Sequence, residues 1–355
     1  MLSSNLLKPL MVGPICATSG QGEAFRHSCK AVPQSIVVDA EFSSIIDLTT
    51  YPLRLLAGFI RTKKVVYFTS SRSTKGFYAR DLWIFLFALL LQRKLINHLH
   101  GIDFGSFRKE SNFITQYLVD FFYHQVKVSI APAEFVLNQY CLYPKMQLKT
   151  VENFFDSNMP IVFHYKKSIK TLEIIYLSNL ISTKGFIVAV DACRFLYNSG
   201  IELHLTLCGH PLGDEFMSIT EVNEYIESLS CEEFVDYIGP VYDELKSKLL
   251  KESHILILPT SKDLSPICII EGLAHGCYII STKIGAIPFL LEGFHSSIVE
   301  LTVDSISTSI LEYNNINSKM KDKFSNVNQV LAFKRYTSIR YQKEVLDIIK
   351  SVYYA

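Results

Sequence analysis

Short apolar runs, separated by longer segments of mixed polarity, recur through the first half of the sequence. They stand at residues 10–12, 35–38, 65–68, 95–99, 126–130 and 150–151. Each run suits a buried strand, and helical candidates separate several of them. Strands that alternate with helices pair in parallel and are covered on both faces. The first half is therefore predicted to be an α/β domain with a mostly parallel sheet.

A second series follows residues 154–171, whose composition is typical of a linker. Its strand-like runs are residues 172–177, 203–207, 235–238, 255–258 and 278–280. Helices are expected near residues 184–198, 214–229, 242–251 and 266–275. From residue 303 the pattern is helical and lacks glycine. We predict two doubly wound α/β domains and a closing helical segment, with bounds 1–160, 170–330 and 331–355.

The apolar run at residues 82–91 has two interpretations. Its ten residues lie between Asp81 and a segment that holds Arg93 and Lys94. This is about half of the ~20 residues that a membrane-crossing helix needs. The run can be a buried helix of the α/β domain. It can also be an interfacial helix, with Arg80, Arg93 and Lys94 at its ends facing a lipid surface.

Composition narrows the class of protein. Of the 355 residues 49% are hydrophobic and 19% are charged, which suits a large core rather than disorder. The formal charge of +1 gives no basic excess of the kind that nucleic-acid binding requires. Eight cysteines without metal spacing indicate scattered reduced thiols in a cytoplasmic protein. The N-terminal apolar run is broken by Lys8-Pro9, unlike a secretory signal.

Residues 254–288 read as strand, loop, helix and strand in close succession. Pro259 ends the first apolar run, Pro266 suits the first turn of a helix, and Gly276 suits its end. Such a unit points the N–H groups of the helix start at an anion. Asp263 and Glu271 lie on either side of this start, with seven residues between them. The segment is therefore predicted to bind an anion at the start of its helix.

Five segments together resemble the family 4 glycosyltransferases of the GT-B fold. They are the glycine loop 13–22, His98-Leu99-His100-Gly101-Ile102-Asp103, residues 178–185 (SNLISTKG), residues 237–241 (YIGPV) and residues 258–276. The resemblance implies two Rossmann-like domains that hold a nucleotide sugar in the cleft between them. It also implies a final helix that crosses back to the N-terminal domain.

The resemblance implies donor-site roles for residues of the second half. Glu271 would accept hydrogen bonds from the ribose, Asp263 would bind the transferred sugar, and Lys184 would neutralise the leaving diphosphate. Asp263 stands where the family usually has Glu, and Asn179 stands where it usually has Arg. The backbone at the helix start, with Gly239, completes the implied donor contacts: Ser265, Pro266, Ile267 and Cys268.

In the first half, His100 corresponds to the catalytic-site histidine of the family, with Asp103 in support. His98 alternates with His100 on one face, so the match alone selects between them. Gly13, Gly20 and Gly22 would form a loop that approaches the donor phosphate or the acceptor. The catalytic set is therefore predicted to be His100, Asp263 and Lys184.

No Asp-x-Asp motif, zinc spacing or hydrolase elbow is present in the sequence. We therefore expect a metal-independent enzyme without a cofactor. The expected activity is retaining transfer of a sugar from a nucleotide sugar to a hydroxyl of a saccharide or lipid-linked saccharide. The expected setting is bacterial surface polysaccharide assembly (O-antigen, capsule or exopolysaccharide), in the cytoplasm or at the inner face of its membrane.

Two alternatives remain open. Asn179 and Asp263 depart from the family pattern, which favours a non-catalytic GT-B protein that binds a nucleotide sugar or scaffolds a partner. An epimerase or a phosphorylase on the same architecture is the other alternative, although no segment marks the lysine that a phosphorylase cofactor would need.

Overall fold

A computed structural model describes residues 7–15, 20–156 and 171–355. The chain divides into two compact units. Unit 1 comprises the described residues of Met1–Asn153 together with Ser338–Ala355, and unit 2 comprises those of Phe154–Thr337. Each unit is built around one six-stranded parallel sheet. The predicted α/β architecture with two doubly wound sheets is confirmed.

Unit 1 has the strand order β2-β1-β3-β4-β5-β6. Its strands are β1 Leu10–Gly13, β2 Ile36–Asp39, β3 Val65–Thr69, β4 Lys94–His98, β5 Val126–Ala131 and β6 Gln147–Thr150. Its helices before residue 154 are α1 Gly20–Ala31, α2 Ile45–Arg61, α3 Thr74–Gly76, α4 Leu82–Leu90, α5 Phe104–Glu110, α6 Phe113–Tyr123 and α7 Glu134–Leu137. A π-helical turn, Phe77–Asp81, joins α3 to α4.

Unit 2 has the strand order β12-β11-β10-β7-β8-β9. Its strands are β7 Leu172–Leu177, β8 Leu203–Cys208, β9 Val235–Gly239, β10 Ile255–Leu258, β11 Tyr278–Thr282 and β12 Ser296–Val299. Its helices are α8 Phe186–Asn198, α9 Ile219–Ser228, α10 Asp243–Glu252, α11 Ile267–Ala274, α12 Ile287–Leu290, α13 Val303–Asn314 and α14 Ser318–Arg335. The last helix, α15 Ser338–Tyr354, belongs to unit 1, where it packs on α1.

Helices cover the unit 1 sheet on both faces, because right-handed crossovers place them there. The chain runs from β1 to β2 in one direction along the sheet, and from β2 through β5 in the other. This reversal separates α1 from α2, α4 and α6. Ring contacts join the last three side by side, with Phe59 against Phe87 and Phe85 against Phe122. One face therefore carries α1 with α15, and the other carries α2, α4 and α6.

Several predicted bounds are wrong. Gly20 and Gly22 lie in the first turn of α1 and not in a loop, because α1 packs on α15 and tertiary contacts outweigh the low helix propensity of glycine. The strand β12 was not predicted. The unit boundary falls at Thr337 and Ser338, where α14 stays with unit 2 and α15 joins unit 1. Most of the predicted linker, residues 157–170, lies outside the described residues.

Candidate active site

The reversal of strand direction marks a ligand site at the carboxyl ends of the strands in doubly wound sheets. In unit 2 the reversal lies between β7 and β10, which are neighbours in the sheet. The loop after β7 leads to Asn179 and Lys184, and the loop after β10 leads to Asp263. The topology therefore places three of the predicted site residues at one edge of this sheet.

The ammonium group of Lys184 forms an ion pair with the carboxylate of Asp263. Both side chains are largely buried, with 19% and 16% of their surface exposed. Solvent screening is weak at such a position, so the pair holds the cation in a fixed place. Lys184 lies in a 3-10 turn, Ser182–Lys184, directly before α8. A fixed cation at a switch point suits binding of a diphosphate.

The loop after β10 is held by its backbone neighbours. Gly185 follows the Lys184 turn with φ of 74°, and a Cβ there would lie 2.0 Å from the carbonyl oxygen of Pro259. Gly285 has φ of 56°, and a Cβ there would lie 2.2 Å from the carbonyl oxygen of Asp263. Only glycine allows both approaches. The two glycines thus fix the backbone on either side of the Lys184–Asp263 pair.

Asp214, which no sequence pattern marks, anchors the turn that carries Lys184. Its carboxylate accepts hydrogen bonds from the Ser182 hydroxyl and from the N–H groups of Thr183, Phe216 and Met217. Burial by itself raises the pKa of Asp214. The hydrogen-bond donors outweigh burial, so the net pKa is lowered to about 2. Asp214 is therefore a positioning residue for Lys184.

The depressed pKa makes the anchor sensitive to acid. Its stabilisation is present above the ordinary pKa of 3.8 and is lost as the pH falls towards 2. We expect Asp214→Asn to lower the melting temperature by about 2–4 °C at neutral pH. The gap from the wild type should close below about pH 3, measured by calorimetry across pH. A gap that is constant with pH, or a matching loss in the exposed neighbour variant Glu215→Gln, would contradict this role.

Glu271 lies in the second turn of α11, and its carboxylate is held by a second lysine. The ammonium group of Lys246, in α10, lies 2.5 Å from a Glu271 oxygen. The Glu271 residue is 8% exposed. The His275 ring bonds to the Glu271 carbonyl oxygen at 2.7 Å and to the Ser247 hydroxyl at 3.1 Å. Lys246 is therefore a second cation of this site, and nothing in the local sequence marks it.

The other predicted donor-site residues lie at or after the ends of β7, β9 and β10. Ser265 and Pro266 are buried, and Pro266 is the residue before α11, one position earlier than the predicted helical turn. Ile267 and Cys268 begin α11, and burial raises the pKa of the Cys268 thiol to about 12. Asn179 is exposed after β7. Gly239 ends β9 with φ of 82°, and its carbonyl accepts a hydrogen bond from the Gly209 N–H.

In unit 1, His100 follows β4 and stacks on His98, with ring centroids 4.0 Å apart. Burial, and then the charge of Arg72, lower the pKa of His100 to about 3. The ring is therefore neutral at physiological pH. Its Nε2 atom is buried and has no hydrogen-bond partner within the part of the chain that the structure describes. A neutral imidazole with an unused nitrogen suits binding of a substrate hydroxyl.

His98 supports His100 from inside the unit. The Tyr67 hydroxyl bonds to Nδ1 of His98, and Ser28 bonds to both Tyr67 and Tyr341 at 2.9 Å. Tyr341 belongs to α15, so the C-terminal helix takes part in the network below His100. The structure thus assigns the two histidines different places, which the alternation pattern left open: His98 is fully buried, and His100 is at the strand end.

Among the described residues, the Asp103 carboxylate binds Arg72 and forms no hydrogen bond with His100. The carboxylate lies 2.8 Å from the Arg72 guanidinium, and Arg72 packs so closely on Gly101 that a Cβ there would lie 1.8 Å from it. Support from Asp103 therefore passes through Arg72. Gly13 ends β1, and a Cβ there would lie 2.6 Å from the Phe25 ring. Residues 16–19 of the predicted glycine loop lie outside the described residues.

Residues 171–313 match the family described as "Glycosyl transferases group 1". The chain carries a group 1 glycosyltransferase domain on a GT-B fold. Most of unit 2 lies in this matched region, and all the residues of the two ion pairs are within it. Among the described residues, no group of three metal-ligating side chains could hold an ion, and none of the helices could span a bilayer.

Three relatives match parts of this chain. The gpi3 subunit of the Schizosaccharomyces pombe phosphatidylinositol N-acetylglucosaminyltransferase is 25% identical over 37% of the chain and 32% of its own. The N-acetyl-alpha-D-glucosaminyl L-malate synthase of Bacillus anthracis is 23% identical over 56% and 52%. WcaL of Salmonella typhimurium, named for colanic acid biosynthesis, is 24% identical over 41% and 36%. The matches thus span a third to a half of the relatives' lengths.

Solved structures match over nearly the whole chain. Anabaena HepE in complex with UDP has a TM-score of 0.73, 14% identity, and coverage of 97% of this chain and 100% of its own. A glycosyltransferase from Rickettsia africae has a TM-score of 0.71, 18% identity, and coverage of 98% and 99%. At these identities the likeness establishes the GT-B fold, which agrees with the two parallel sheets.

Proposed function

We propose that this protein is a retaining glycosyltransferase that moves a sugar from a nucleotide-sugar donor to a hydroxyl acceptor. One observation carries the proposal: the Lys184–Asp263 pair lies at the switch point of the unit 2 sheet, directly before the helix that bears Glu271. Fixed cations, a helix start and two carboxylates are what a nucleoside diphosphate bonded to a sugar requires. The HepE complexes with UDP and UDP-glucose support a donor of this class.

In the proposed reaction, the bond between the anomeric carbon and the diphosphate oxygen breaks, and the electron pair stays on the diphosphate. Lys184 stabilises that charge, as a preorganised cation does at a developing anion. Lys246 offers a second cation of the unit 2 site, although Asn179 stands where the family has Arg. No metal is needed in this scheme, because lysines and the start of α11 neutralise the diphosphate.

The acceptor hydroxyl then bonds to the anomeric carbon from the face that the diphosphate leaves, and its proton passes to the departing phosphate. This order retains the anomeric configuration without a covalent enzyme intermediate. Both carboxylates of the unit 2 site are ion-paired with lysines, which suits them to binding hydroxyls rather than to attack on carbon. His100 would hold a sugar hydroxyl through its neutral ring.

The proposed setting is polysaccharide assembly at a bacterial surface, with a saccharide or lipid-linked saccharide as acceptor and the enzyme in the cytoplasm. The colanic acid name of WcaL supports this setting. The gpi3 relative instead belongs to a complex named for transfer of N-acetylglucosamine to phosphatidylinositol. Both names share transfer of a sugar. The residues of the unit 2 site support this shared part of the proposal.

A non-catalytic protein that binds nucleotide sugars is the second candidate. Asn179 is exposed and uncharged at the position where the family has Arg, and Asp263 is engaged by Lys184. A domain that only binds the donor needs Glu271 and the start of α11, but it does not need Lys184 to stabilise a leaving group. The two candidates therefore differ in turnover and not in binding.

A thermal-shift screen over UDP-, GDP-, ADP- and dTDP-sugars tests the donor class. We expect one nucleotide to raise the melting temperature by several degrees, because a ligand at 100 times its Kd stabilises the folded state by about 2.7 kcal/mol. Titration calorimetry on the nucleotide that stabilises most should give one site per chain. If no nucleotide sugar shifts the melting temperature or releases heat, the proposed function is wrong.

A further inference from the structure

Helix α2 of unit 1 is apolar on the side that faces away from its sheet. Ile46, Leu53 and Ile60 are 71%, 70% and 69% exposed. They are spaced by seven residues, which is nearly two helical turns, so they form one line along the helix. The opposite side is also apolar and buried, with Tyr51 and Leu55. A helix with apolar lines on two opposite sides is normally covered on both of them.

The two neighbouring helices repeat this arrangement. Every residue of α4, Leu82–Leu90, is apolar, with Phe85 buried and Leu90 74% exposed. On α6, Phe113 is 81% exposed, and Tyr117 is 62% exposed one turn later. Because α2, α4 and α6 lie side by side, these side chains share one layer of unit 1. We name this layer the apolar helix face: Ile46, Leu53, Ile60, Leu90, Phe113 and Tyr117.

One end of the same layer is basic. Helices α2, α4 and α6 lead into β3, β4 and β5 through residues 61–64, 91–94 and 124–127, which contain no Asp or Glu. These short segments form the basic edge: Arg61, Lys63, Arg93 and Lys127. Lys64 and Lys94 of the same segments are not part of this edge, because their ammonium groups donate to carbonyls of α15 on the other face of the sheet. Arg61, Lys63 and Lys127 are exposed and form no ion pair with any described residue.

The acidic side chains of α2 and α6 already have hydrogen-bond partners. Asp47 accepts hydrogen bonds from Ser43 and Ser44 at the start of α2. Asp120 of α6 binds Arg108 through two bonds of 2.6 Å. The surface therefore combines exposed apolar side chains with three exposed cations, Arg61, Lys63 and Lys127, that form no ion pair with a described residue. This combination matches a bilayer whose hydrocarbon accepts the apolar groups and whose anionic headgroups accept the cations.

We propose that unit 1 docks on an anionic phospholipid bilayer through the apolar helix face, with the basic edge on the headgroups. A second copy of the chain would bring another basic edge and no complementary acidic one. Helix α4 is buried on one side and open on the other, so both interpretations of residues 82–91 stay open. This proposal does not rest on the proposed function, because the donor residues lie in unit 2.

Cosedimentation of the full chain, purified without detergent, tests the docking. The probes are vesicles of phosphatidylcholine alone and of equal parts phosphatidylcholine and phosphatidylglycerol. We expect binding to the anionic vesicles that falls as salt rises. The double variant Leu53→Ser/Ile60→Ser should weaken it about tenfold or more, since it removes two apolar side chains from the lipid contact. The control Phe216→Ser, 73% exposed in unit 2, should bind like the wild type.

A second set of variants tests the charges. The double variant Lys63→Glu/Lys127→Glu should lose binding to the anionic vesicles. The control Lys319→Glu, in α14 of unit 2, should bind like the wild type. All substituted positions are exposed, so melting curves should match the wild type. Failure of the wild type to bind anionic vesicles would overturn the proposal, as would equal binding by the serine variant. A wild-type dimer in ultracentrifugation that the serine variant dissociates would also overturn it, in favour of a second copy on this face.

Discussion

Replacing Lys184 by alanine should lower turnover about 10²–10³-fold, which is the usual cost of removing one preorganised charge-stabilising group. The reason is that the negative charge on the departing diphosphate develops in the transition state. Lys184 is held before the reaction by Asp263 and by the turn that Asp214 anchors. The loss should therefore fall mainly on kcat, while KM for the donor changes less.

The measurement is release of nucleoside diphosphate in the presence of an acceptor extract, with kcat and KM determined for each protein. Lys262→Ala is the matched control, because this lysine lies next to Asp263 in the loop after β10, is exposed and forms no ion pair with any described residue. It should retain wild-type turnover. Equal turnover for the Lys184→Ala variant and the wild type would remove Lys184 from the chemistry.

Replacing Glu271 by alanine should weaken binding of the donor more than it lowers kcat. The carboxylate is expected to accept hydrogen bonds from the donor in both ground state and transition state, so its loss should weaken donor binding. A charged hydrogen bond contributes about 1.5–3 kcal/mol, and two such bonds give a loss of about 10²-fold or more in affinity. Titration calorimetry with the nucleotide from the thermal-shift screen measures this directly.

Folding must be separated from binding in that experiment, because Glu271 is buried beside Lys246. The variant Glu271→Gln keeps the shape and removes the charge, and its melting temperature reports the cost to the fold. Glu252→Ala, exposed at the end of α10, is the control for loss of an acidic residue. Wild-type donor affinity in a folded Glu271→Ala variant would show that the donor lies elsewhere.

The sequence was sufficient to predict the central strands of both sheets. The runs at residues 172–177 and 255–258 coincide with β7 and β10, because strands covered on both faces need continuous apolar sequence. Strand β12 was missed since it is an edge strand, SSIV, whose residues are half-buried or exposed. Gly20 and Gly22 were misplaced because composition alone does not reveal that α1 packs on α15.

The sequence predicted only part of the site, for a related reason. Asp263, Glu271 and Lys184 lie in segments whose local pattern resembles a family, so they could be selected. Lys246 binds Glu271 from 25 positions away in sequence, and Asp214 binds Ser182, in the turn of Lys184, from 32 positions away. No local sequence pattern marks such partners. They meet the predicted residues only because the chain returns across the sheet. Their lysine and carboxylate groups look like ordinary surface charges in the sequence.

Turnover of a nucleotide sugar by the purified wild-type protein tests the central claim most directly. The donor is the one selected by thermal shift, and the assay counts nucleoside diphosphate released with a saccharide or lipid-linked saccharide acceptor. The proposed glycosyl transfer predicts steady release that depends on the acceptor and falls sharply in the Lys184→Ala variant. Tight binding of the donor without release, with every acceptor tried, would contradict it and favour the binding protein.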